Sequence, residues 1–340
     1  MAGLANLSEY FENPLFTKII KEVDAVPSQQ KVYKGERFLP AVDTYDIDFN
    51  ETIMTHYDDM ADIVDNGAEL PLTDRDPVRR VSGEITDIGQ SYILTKKELA
   101  AMSDKGNDGR RTLAVKQVLG KAVQLKKNID ARVEWLRWQA LGSGLLVYNK
   151  GGIKLGCDFG IPAENKVSAA TKWNDVNPTI LPNYEAWVQA YVDLNGFAPD
   201  VFMTSIKAIR SVLNDLTIRK AITGYSDKLL TLEELNSFLV GRQLPVMESF
   251  DSTVTYRDPY AGGARTTQRL LSDTKGVFLK EGGVIGSQLM GPTYENDMNP
   301  GIYARTFTME RPVREVVEVV ASSFPKVENP QYIKIADILV

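Results

Sequence analysis

One long amphipathic helix is the feature that most limits the fold of this chain of 340 residues. Apolar residues recur at steps of three and four along it, namely Val115, Val118, Ala122, Leu125, Ile129, Val133, Leu136 and Ala140. This spacing places the apolar side chains on one face of a helix. The sequence therefore predicts a helix over Thr112–Leu141, which ends at Gly142-Ser143-Gly144.

Alternating residues predict strands on both sides of this helix. Upstream, Tyr45–Thr55 and Val81–Leu94 are predicted to form the two arms of a long hairpin with Asn66-Gly67 at its tip. Downstream, Leu145–Lys150 and Ile153–Phe159 flank Gly151-Gly152 and predict a short hairpin.

The second half of the chain predicts alternating helices and strands. The predicted helices are Tyr184–Leu194, Ile206–Leu213 and Leu232–Val240, and the predicted strands are Asp200–Thr204, Val246–Tyr256 and Val277–Lys280. Near the end, Val317, Val319 and Ala321 line one face of a strand and Val316, Glu318 and Val320 line the other; Tyr332–Ile338 is the last strand. The predicted fold class is α+β.

Charge is separated along the chain. Residues 41–76 contain eleven acidic residues and one basic residue, whereas residues 96–137 contain eleven basic and five acidic residues. Two solvated surfaces would explain these runs, and so would a contact between them. The total formal charge of −6 argues against a dedicated nucleic-acid-binding protein, because neutralising phosphates requires a basic surface.

A search for reactive residues predicts no catalytic, metal or cofactor site. His56 is the only histidine, and no nucleophile motif surrounds it. Cys157, the only cysteine, lacks a basic neighbour and is predicted to be a small buried strand residue. Gly262-Gly263 is predicted to form a mobile loop tip that includes Arg265 and Arg269. One enzymatic alternative stays open, in which Asp58, Asp59 and Asp62 hold a divalent metal together with His56.

The start of the chain shows no signal peptide, and no stretch approaches the roughly 18 apolar residues of a membrane span. We therefore expect no membrane partner and a cytoplasmic location where the chain is made. A single cysteine forms no intramolecular disulfide, so packing and assembly must supply the stability.

Several short motifs resemble the lambda-like major capsid protein E family of tailed bacteriophages. They are Asn13-Pro14-Leu15-Phe16, Lys31-Val32-Tyr33, the run Ala198–Met203, Val277-Phe278-Leu279, Gly291-Pro292-Thr293-Tyr294-Glu295, and Tyr303–Phe324 followed by Pro325, Asn329 and Pro330. Their order and spacing over the whole chain carry the resemblance. Tyr294 departs from the family pattern, since a second proline is expected there.

The resemblance implies the Hong Kong 97-like capsid fold in five regions. These are an N-terminal arm (1–43), an E-loop hairpin (44–94), a P-domain with the long spine helix and a hairpin (95–168), an A-domain (169–283) and a return to the P-domain (284–340). It also implies pentamers and hexamers in an icosahedral phage head that encloses double-stranded DNA. An encapsulin-type nanocompartment shell has the same fold and is the closest alternative.

The resemblance also implies partners and a location. The chain binds copies of itself, and a separate scaffolding protein, a portal and a decoration protein are expected, with packaged DNA bound non-specifically. The protein belongs to the virion capsid and assembles in the host cytoplasm. Because an E-loop lies over a neighbouring P-domain in this fold, the charge runs predict a contact between subunits: the acidic run Asp43–Asp76 would lie over the basic helix surface that includes Lys126, Lys127 and Arg132.

Overall fold

The structure of the protein, a computed structural model, describes residues 33–54, 78–102, 108–150, 153–257, 263–310 and 313–340. Its helices are α1 (Lys96–Met102), α2 (Asp108–Ser143), α3 (Ile180–Asn195), α4 (Ile206–Asn214), α5 (Leu216–Thr223) and α6 (Leu232–Gly241). Its strands are β1 (Ala41–Asp43), β2 (Asp48–Met54), β3 (Val78–Glu84), β4 (Thr86–Ile93), β5 (Leu145–Lys150), β6 (Ile153–Asp158), β7 (Lys166–Ser168), β8 (Val201–Thr204), β9 (Val246–Ser249), β10 (Thr253–Arg257), β11 (Arg265–Arg269), β12 (Lys275–Leu279), β13 (Gly286–Gly291), β14 (Tyr303–Glu310), β15 (Val313–Val327) and β16 (Ile333–Asp337).

The long helix α2 is confirmed over 36 residues, slightly more than the sequence predicts. Seven of the eight predicted apolar positions are buried, and Val115 packs against their cluster as a half-buried side chain. The helix ends at Gly144, whose φ of 68° lies in the left-handed region. A Cβ at Gly144 would lie 2.7 Å from Ile161 Cδ1, so only glycine fits this end without strain.

A mixed sheet packs along the first half of α2. It has the order β1-β13-β15-β14, and β4 pairs with the other side of β15. Strand β15 confirms the strand predicted around residues 316–321. Val316, Val317, Val319 and Val320 are all buried, Val317 and Val319 within the apolar cluster shared with α2, and strands pair with both edges of β15. This sheet and α2 enclose one apolar cluster.

A second sheet forms the centre of the middle block, with the order β7-β16-β12-β8-β9. Helices α3, α4, α5 and α6 contribute to the apolar cluster on one of its faces, where Tyr184 and Phe202 meet edge to face at 5.3 Å. A further cluster joins its other face to the second half of α2, and there Trp138 stacks on Phe250 at 4.1 Å. Both sheets thus pack against α2, and β15 also reaches this second cluster through Phe324 and Val327.

Three two-stranded hairpins complete the described residues: β2–β3, β5–β6 and β10–β11. The predicted β5–β6 hairpin is confirmed with the expected register around residues 151–152. The long E-loop hairpin is confirmed in part. β2 pairs with β3, but the predicted arm Val81–Leu94 divides at Ile85, and its second half joins the mixed sheet as β4. The predicted tip, Asn66-Gly67, lies outside the described residues.

Two other sequence predictions are wrong in detail. The predicted strand Val246–Tyr256 divides into β9 and β10, which belong to different sheets: β9 pairs with β8, where Phe250 N–H still donates to Thr204 O at 2.8 Å, and β10 pairs with β11 from Thr253. Arg265 and Arg269 lie in strand β11 and not in a mobile loop tip. The residues that would form that tip are in part outside the described ranges.

Residues 33–43, which we call the strap, contact α2, the core and β13. Its 3-10 turn Gly35–Arg37 lies against α2, Phe38 and Leu39 are fully buried in the core, and β1 pairs with β13 in parallel. The strap therefore packs as part of the folded body, whereas the family resemblance predicted an N-terminal arm that extends to residue 43. The five-region division remains a prediction. The packing of the strap suggests that residues 33–43 belong to the folded body, and the pairing of β16 with β12 suggests that β16 belongs with the A-domain sheet.

Candidate subunit-contact surfaces

The sequence-predicted site residues are not brought together by the described structure. His56, Asp58, Asp59 and Asp62 lie outside the described ranges. Cys157 lies in β6 as predicted, but it is half-buried instead of fully buried. Among the residues that the structure describes, no group of three or more metal-ligating side chains comes together.

The basic run of α2 does not form one exposed surface. Lys126 is 6% exposed and lies 3.5 Å from Asp130, and Arg137 is 7% exposed and lies 3.3 Å from Glu134. The prediction that Lys126 and its neighbours present a basic helix surface is therefore wrong for Lys126. Lys116 and Lys121 are exposed, and Lys127 is half-buried. Burial raises the pKa of Asp130, although the charge of Lys126 opposes that shift.

Glu134 is the buried centre that ties the strap to α2. Its Oε1 accepts hydrogen bonds from Gly35 N and Trp138 Nε1, both at 2.8 Å, and its Oε2 faces Arg137 Nη1 at 3.3 Å. A Cβ at Gly35 would lie 2.9 Å from both carboxylate oxygens, so the strap must have glycine there. Burying a carboxylate away from solvent costs free energy unless such donors replace its water.

A second set of charges ties the strap to the middle block. Lys34 Nζ donates to Glu248 Oε2 at 3.0 Å and to Ser249 O at 3.1 Å, and Arg37 Nη1 donates to Glu248 Oε2 at 2.9 Å. Arg37 also bonds Glu281. Burial raises the pKa of Glu248, but the hydrogen bonds from Arg37 and Lys34 outweigh it and lower the pKa overall.

A cleft of about 950 Å³ lies between α2 and the strands β4, β5, β10 and β11. Strands β4, β5 and β10 contribute runs of consecutive residues to its wall, at Ile88–Gln90, Val147–Asn149 and Val254–Arg257. Both strands of the β10–β11 hairpin reach the cleft, for example at the paired positions Arg257 and Arg265. Within the described ranges, each of these strands pairs along one edge only.

The charged side chains in the described wall of this cleft are all basic. Arg132, Arg257 and Arg265 line it, and none of the described residues in its wall is acidic. The Arg132 guanidinium lies 5.0 Å from the Trp135 ring centre and 5.5 Å from that of Tyr148. Burial lowers the pKa of Arg132, yet an arginine keeps its charge at neutral pH. In the described part of the chain, Arg132 has no hydrogen bond or ion pair.

Large apolar side chains are exposed on the projecting elements. Val147 in β5 is 69% exposed, and Tyr225 and Leu229 in the segment between α5 and α6 are each 74% exposed. Exposed apolar groups that cluster on projecting parts of a fold are typical of surfaces that other proteins cover. Sequence periodicity identified none of these residues, because they lie outside regular amphipathic patterns.

None of the described helices is both long enough and apolar enough to cross a membrane. A family model for phage major capsid protein E matches residues 50–337. No curated protein sequence matches the chain.

Solved structures give the same result at the level of the fold. A prophage protein of Escherichia coli CFT073, assigned as a capsid protein, matches with a TM-score of 0.59 at 15% identity, over 95% of this chain and 98% of that one. A phage-related protein of Bordetella bronchiseptica RB50 matches at 0.56 and 11%, over 96% of both chains. The capsid of Myoviridae phage XM1 matches at 0.51 and 10%, over 93% of this chain and 95% of that one.

Proposed function

This chain belongs to the family of phage major capsid protein E, and from that premise we propose that it builds the pentamers and hexamers of an icosahedral head that encloses double-stranded DNA. As a member of this family it is a capsid shell protein, and its fold is the Hong Kong 97-like fold of such proteins. The family match over residues 50–337 is the observation that carries the proposal.

The shape of the subunit supports an assembled state. The hairpins β2–β3, β5–β6 and β10–β11 each form a two-stranded sheet of their own among the described residues. An isolated two-stranded hairpin is at best marginally stable in water. Neighbouring subunits would supply the contacts that these hairpins lack, and a closed symmetric shell repeats each such contact many times.

Further partners follow from the family as proposals. We propose a separate scaffolding protein and a portal, a decoration protein on the outer surface, and non-specific contact with the packaged DNA. We place the mature protein in the virion and its assembly in the host cytoplasm. The five-region division is proposed with two changes: residues 33–43 belong to the folded body, and β16 belongs with the A-domain sheet.

Size-exclusion chromatography and negative-stain microscopy of the purified full chain test the proposal. A shell protein elutes as capsomers or megadalton particles, and closed icosahedral particles are the expected image. A small oligomer that never forms particles, alone or with a co-expressed scaffolding protein, would refute it. Particles that enclose a protein cargo and no DNA when made in the native host would favour the nanocompartment alternative.

The enzymatic alternative predicts a different result. We expect His56→Ala and Cys157→Ser, singly or together, to leave particle formation unchanged, because the proposed function assigns no chemistry to either side chain. Divalent metal binding, measured by calorimetry, that His56→Ala or Asp58→Asn abolishes would instead support a metal site in the acidic segment.

A further inference from the structure

Two arginines of the β10–β11 hairpin reach the cleft beside α2 without an acidic partner. Arg257 and Arg265 are directly opposed across the ladder, and like charges at such positions destabilise a strand pair. Arg257 Nε donates to the neutral Gly263 O at 2.9 Å, and neither arginine forms an ion pair with a described carboxylate. Arg269 of the same hairpin, in contrast, pairs with Asp251. The hairpin therefore brings two positive charges to the cleft that the described residues do not neutralise.

Arg132 adds a third positive charge to the same cleft, and its side chain is half-buried, whereas the two hairpin arginines are exposed. Its guanidinium lies 5.0 Å from the Trp135 ring centre and 5.5 Å from that of Tyr148. The N–H groups of a guanidinium lie around its edge, in a fork that matches the oxygens of a phosphate or a carboxylate. Because a partly buried charge is costly without a partner, an anion in the cleft would stabilise Arg132 in this position.

The other polar side chains of the described wall are mainly amides. Gln124 Nε2 donates to Asn128 Oδ1 at 3.0 Å, and Asn128 Nδ2 donates to Gln90 Oε1 at 2.7 Å. This chain of hydrogen bonds runs from α2 to β4, and Gln90 at its end still has an NH2 group with which to donate. Three more amides line the cleft, namely Gln139, Asn149 and Gln268. Arginine and amide side chains are among the groups that bind phosphate oxygens in proteins.

Three arginines in one cleft favour a ligand that carries several negative charges. They repel one another across a space of about 950 Å³, so a single charge would leave most of that repulsion in place. A nucleic-acid backbone supplies phosphates at a regular spacing, and duplex DNA carries one negative charge per about 1.7 Å of its axis. Because the protein as a whole has a formal charge of −6, such binding would be confined to a local basic surface.

We propose that the cleft is a phosphate-binding site through which the subunit contacts the backbone of packaged DNA, with Arg132, Arg257 and Arg265 as the binding residues. The inference rests on the proposed enclosure of double-stranded DNA and names the residues that make the contact. It requires that the cleft open toward the interior of the shell. Phosphate contacts carry no base information, so the site accepts any sequence, as a container for a whole genome must.

The salt dependence of DNA binding by the full chain tests the site. The probe is a fluorescein-labelled duplex of about 16 base pairs, and fluorescence anisotropy measures its binding to the unassembled protein. Three phosphate contacts predict a slope of about −2.7 for the logarithm of the binding constant against the logarithm of the salt concentration. This slope corresponds to about a 40-fold loss of affinity between about 50 and 200 mM salt. Without Arg257 and Arg265 the expected slope is about −0.9, and the loss falls to about 3.5-fold.

Arg257→Gln with Arg265→Gln is the main variant, because both side chains are exposed and their loss should leave the fold intact. Its affinity for the duplex at about 50 mM salt should fall at least tenfold, while its circular dichroism and unfolding midpoint stay those of the wild type. Arg132→Gln should bring the slope closer to zero by about 0.9. An unchanged slope in the main variant would show that these arginines do not touch phosphates and would overturn the proposal.

The control removes the same amount of charge elsewhere. Arg210→Gln with Lys220→Gln changes two exposed residues of α4 and α5 that do not line the cleft, so affinity and slope should both stay unchanged. An equal loss in this control would show a general effect of charge and refute the site. Binding of inorganic tripolyphosphate to the wild type, with no binding of the duplex, would assign the cleft to a free polyphosphate and refute the contact with DNA.

Particle assembly, measured separately by light scattering, distinguishes this inference from the proposed function. A loss of assembly in the variant of Arg257 and Arg265, with duplex binding unchanged, would assign the cleft to a contact between subunits and overturn the phosphate site. If the wild type forms no particles but binds the duplex with the expected slopes, the proposed shell function fails while the phosphate site stands. If particles form and package DNA but the unassembled protein does not bind the duplex, the phosphate site alone fails.

Discussion

Removing the Glu134 carboxylate should destabilise the subunit more than any surface charge change. Glu134→Ala leaves three donors without their acceptor: Gly35 N, Trp138 Nε1 and the Arg137 guanidinium. Breaking a buried ion pair costs about 3–5 kcal/mol, because the remaining charge stays buried without a partner. That is a large part of a total stability of about 5–15 kcal/mol.

The conservative variant separates charge from hydrogen bonding. The Gly35 and Trp138 donors both reach Oε1, and only Arg137 faces Oε2. Glu134→Gln can therefore keep both hydrogen bonds with its carbonyl oxygen, while its NH2 group faces Arg137. We expect an intermediate loss of about 1.5–3 kcal/mol, the usual contribution of one hydrogen bond to a charged group.

Urea unfolding of the unassembled subunit, followed by tryptophan fluorescence, measures these losses. Glu185→Ala is the matched control, because it breaks an exposed pair in which Arg242 Nη1 lies 2.9 Å from Glu185 Oε1. Such a pair contributes about 0–1 kcal/mol. A free energy of unfolding for Glu134→Ala within 1 kcal/mol of the wild type would mean that Glu134 does not hold the strap.

Three more predictions follow from the packing. Deleting residues 1–30 should leave a folded subunit that assembles poorly. Deleting residues 1–40 should give insoluble protein, because this deletion removes two fully buried side chains of the strap, each of which contributes about 1.5–3 kcal/mol to stability. Solubility and circular dichroism measure both outcomes. Leu125→Glu should abolish soluble protein, because it places a charge on the buried face of α2. The same change at Leu113, which is 59% exposed, should leave the protein soluble. A soluble Leu125→Glu variant that unfolds cooperatively would show that this face of α2 is not buried. Glu248 has a lowered pKa in the folded state, so its ion pairs stabilise the protein above the unfolded pKa of about 4.3, and this contribution is lost as the pH falls through the folded pKa. The free energy of unfolding, measured between about pH 6 and pH 3, should therefore depend less on pH in Glu248→Gln than in the wild type. An unchanged pH dependence would contradict the assignment.

Local patterns determined the elements with strong periodicity. The apolar positions of α2 follow from steps of three and four residues, and Gly144 directly after it ends the helix where a left-handed residue is needed. The β5–β6 hairpin follows from two alternating runs around a glycine pair. These features depend on neighbours within a few residues, so the sequence contains the information that fixes them.

The sequence predictions that the structure corrects lie at strand boundaries that are determined by contacts with a distant part of the chain. The division of Val246–Tyr256 into two strands follows from their different partners, β8 for β9 and β11 for β10, and the separation of β4 from the E-loop arm depends on pairing with β15, more than 200 residues away. The local signals are weak: Asp251-Ser252 lies at one break and Gly83 lies beside the other, and the sequence alone does not show that the chain changes partner there. The motifs that resembled a capsid family could identify the fold class as a whole, but not these boundaries.

The charges of α2 show the same division most clearly. The sequence by itself determined that the helix is amphipathic and that its polar positions are mostly basic. Only the tertiary structure decided which of those charges face water, because the strap brings Gly35 to Glu134 across 99 residues, and strands β5 and β10 enclose Arg132 beside the cleft. A helical pattern fixes the direction of a side chain around its own axis, but the partner that it meets there is fixed by the packing of segments far away in sequence.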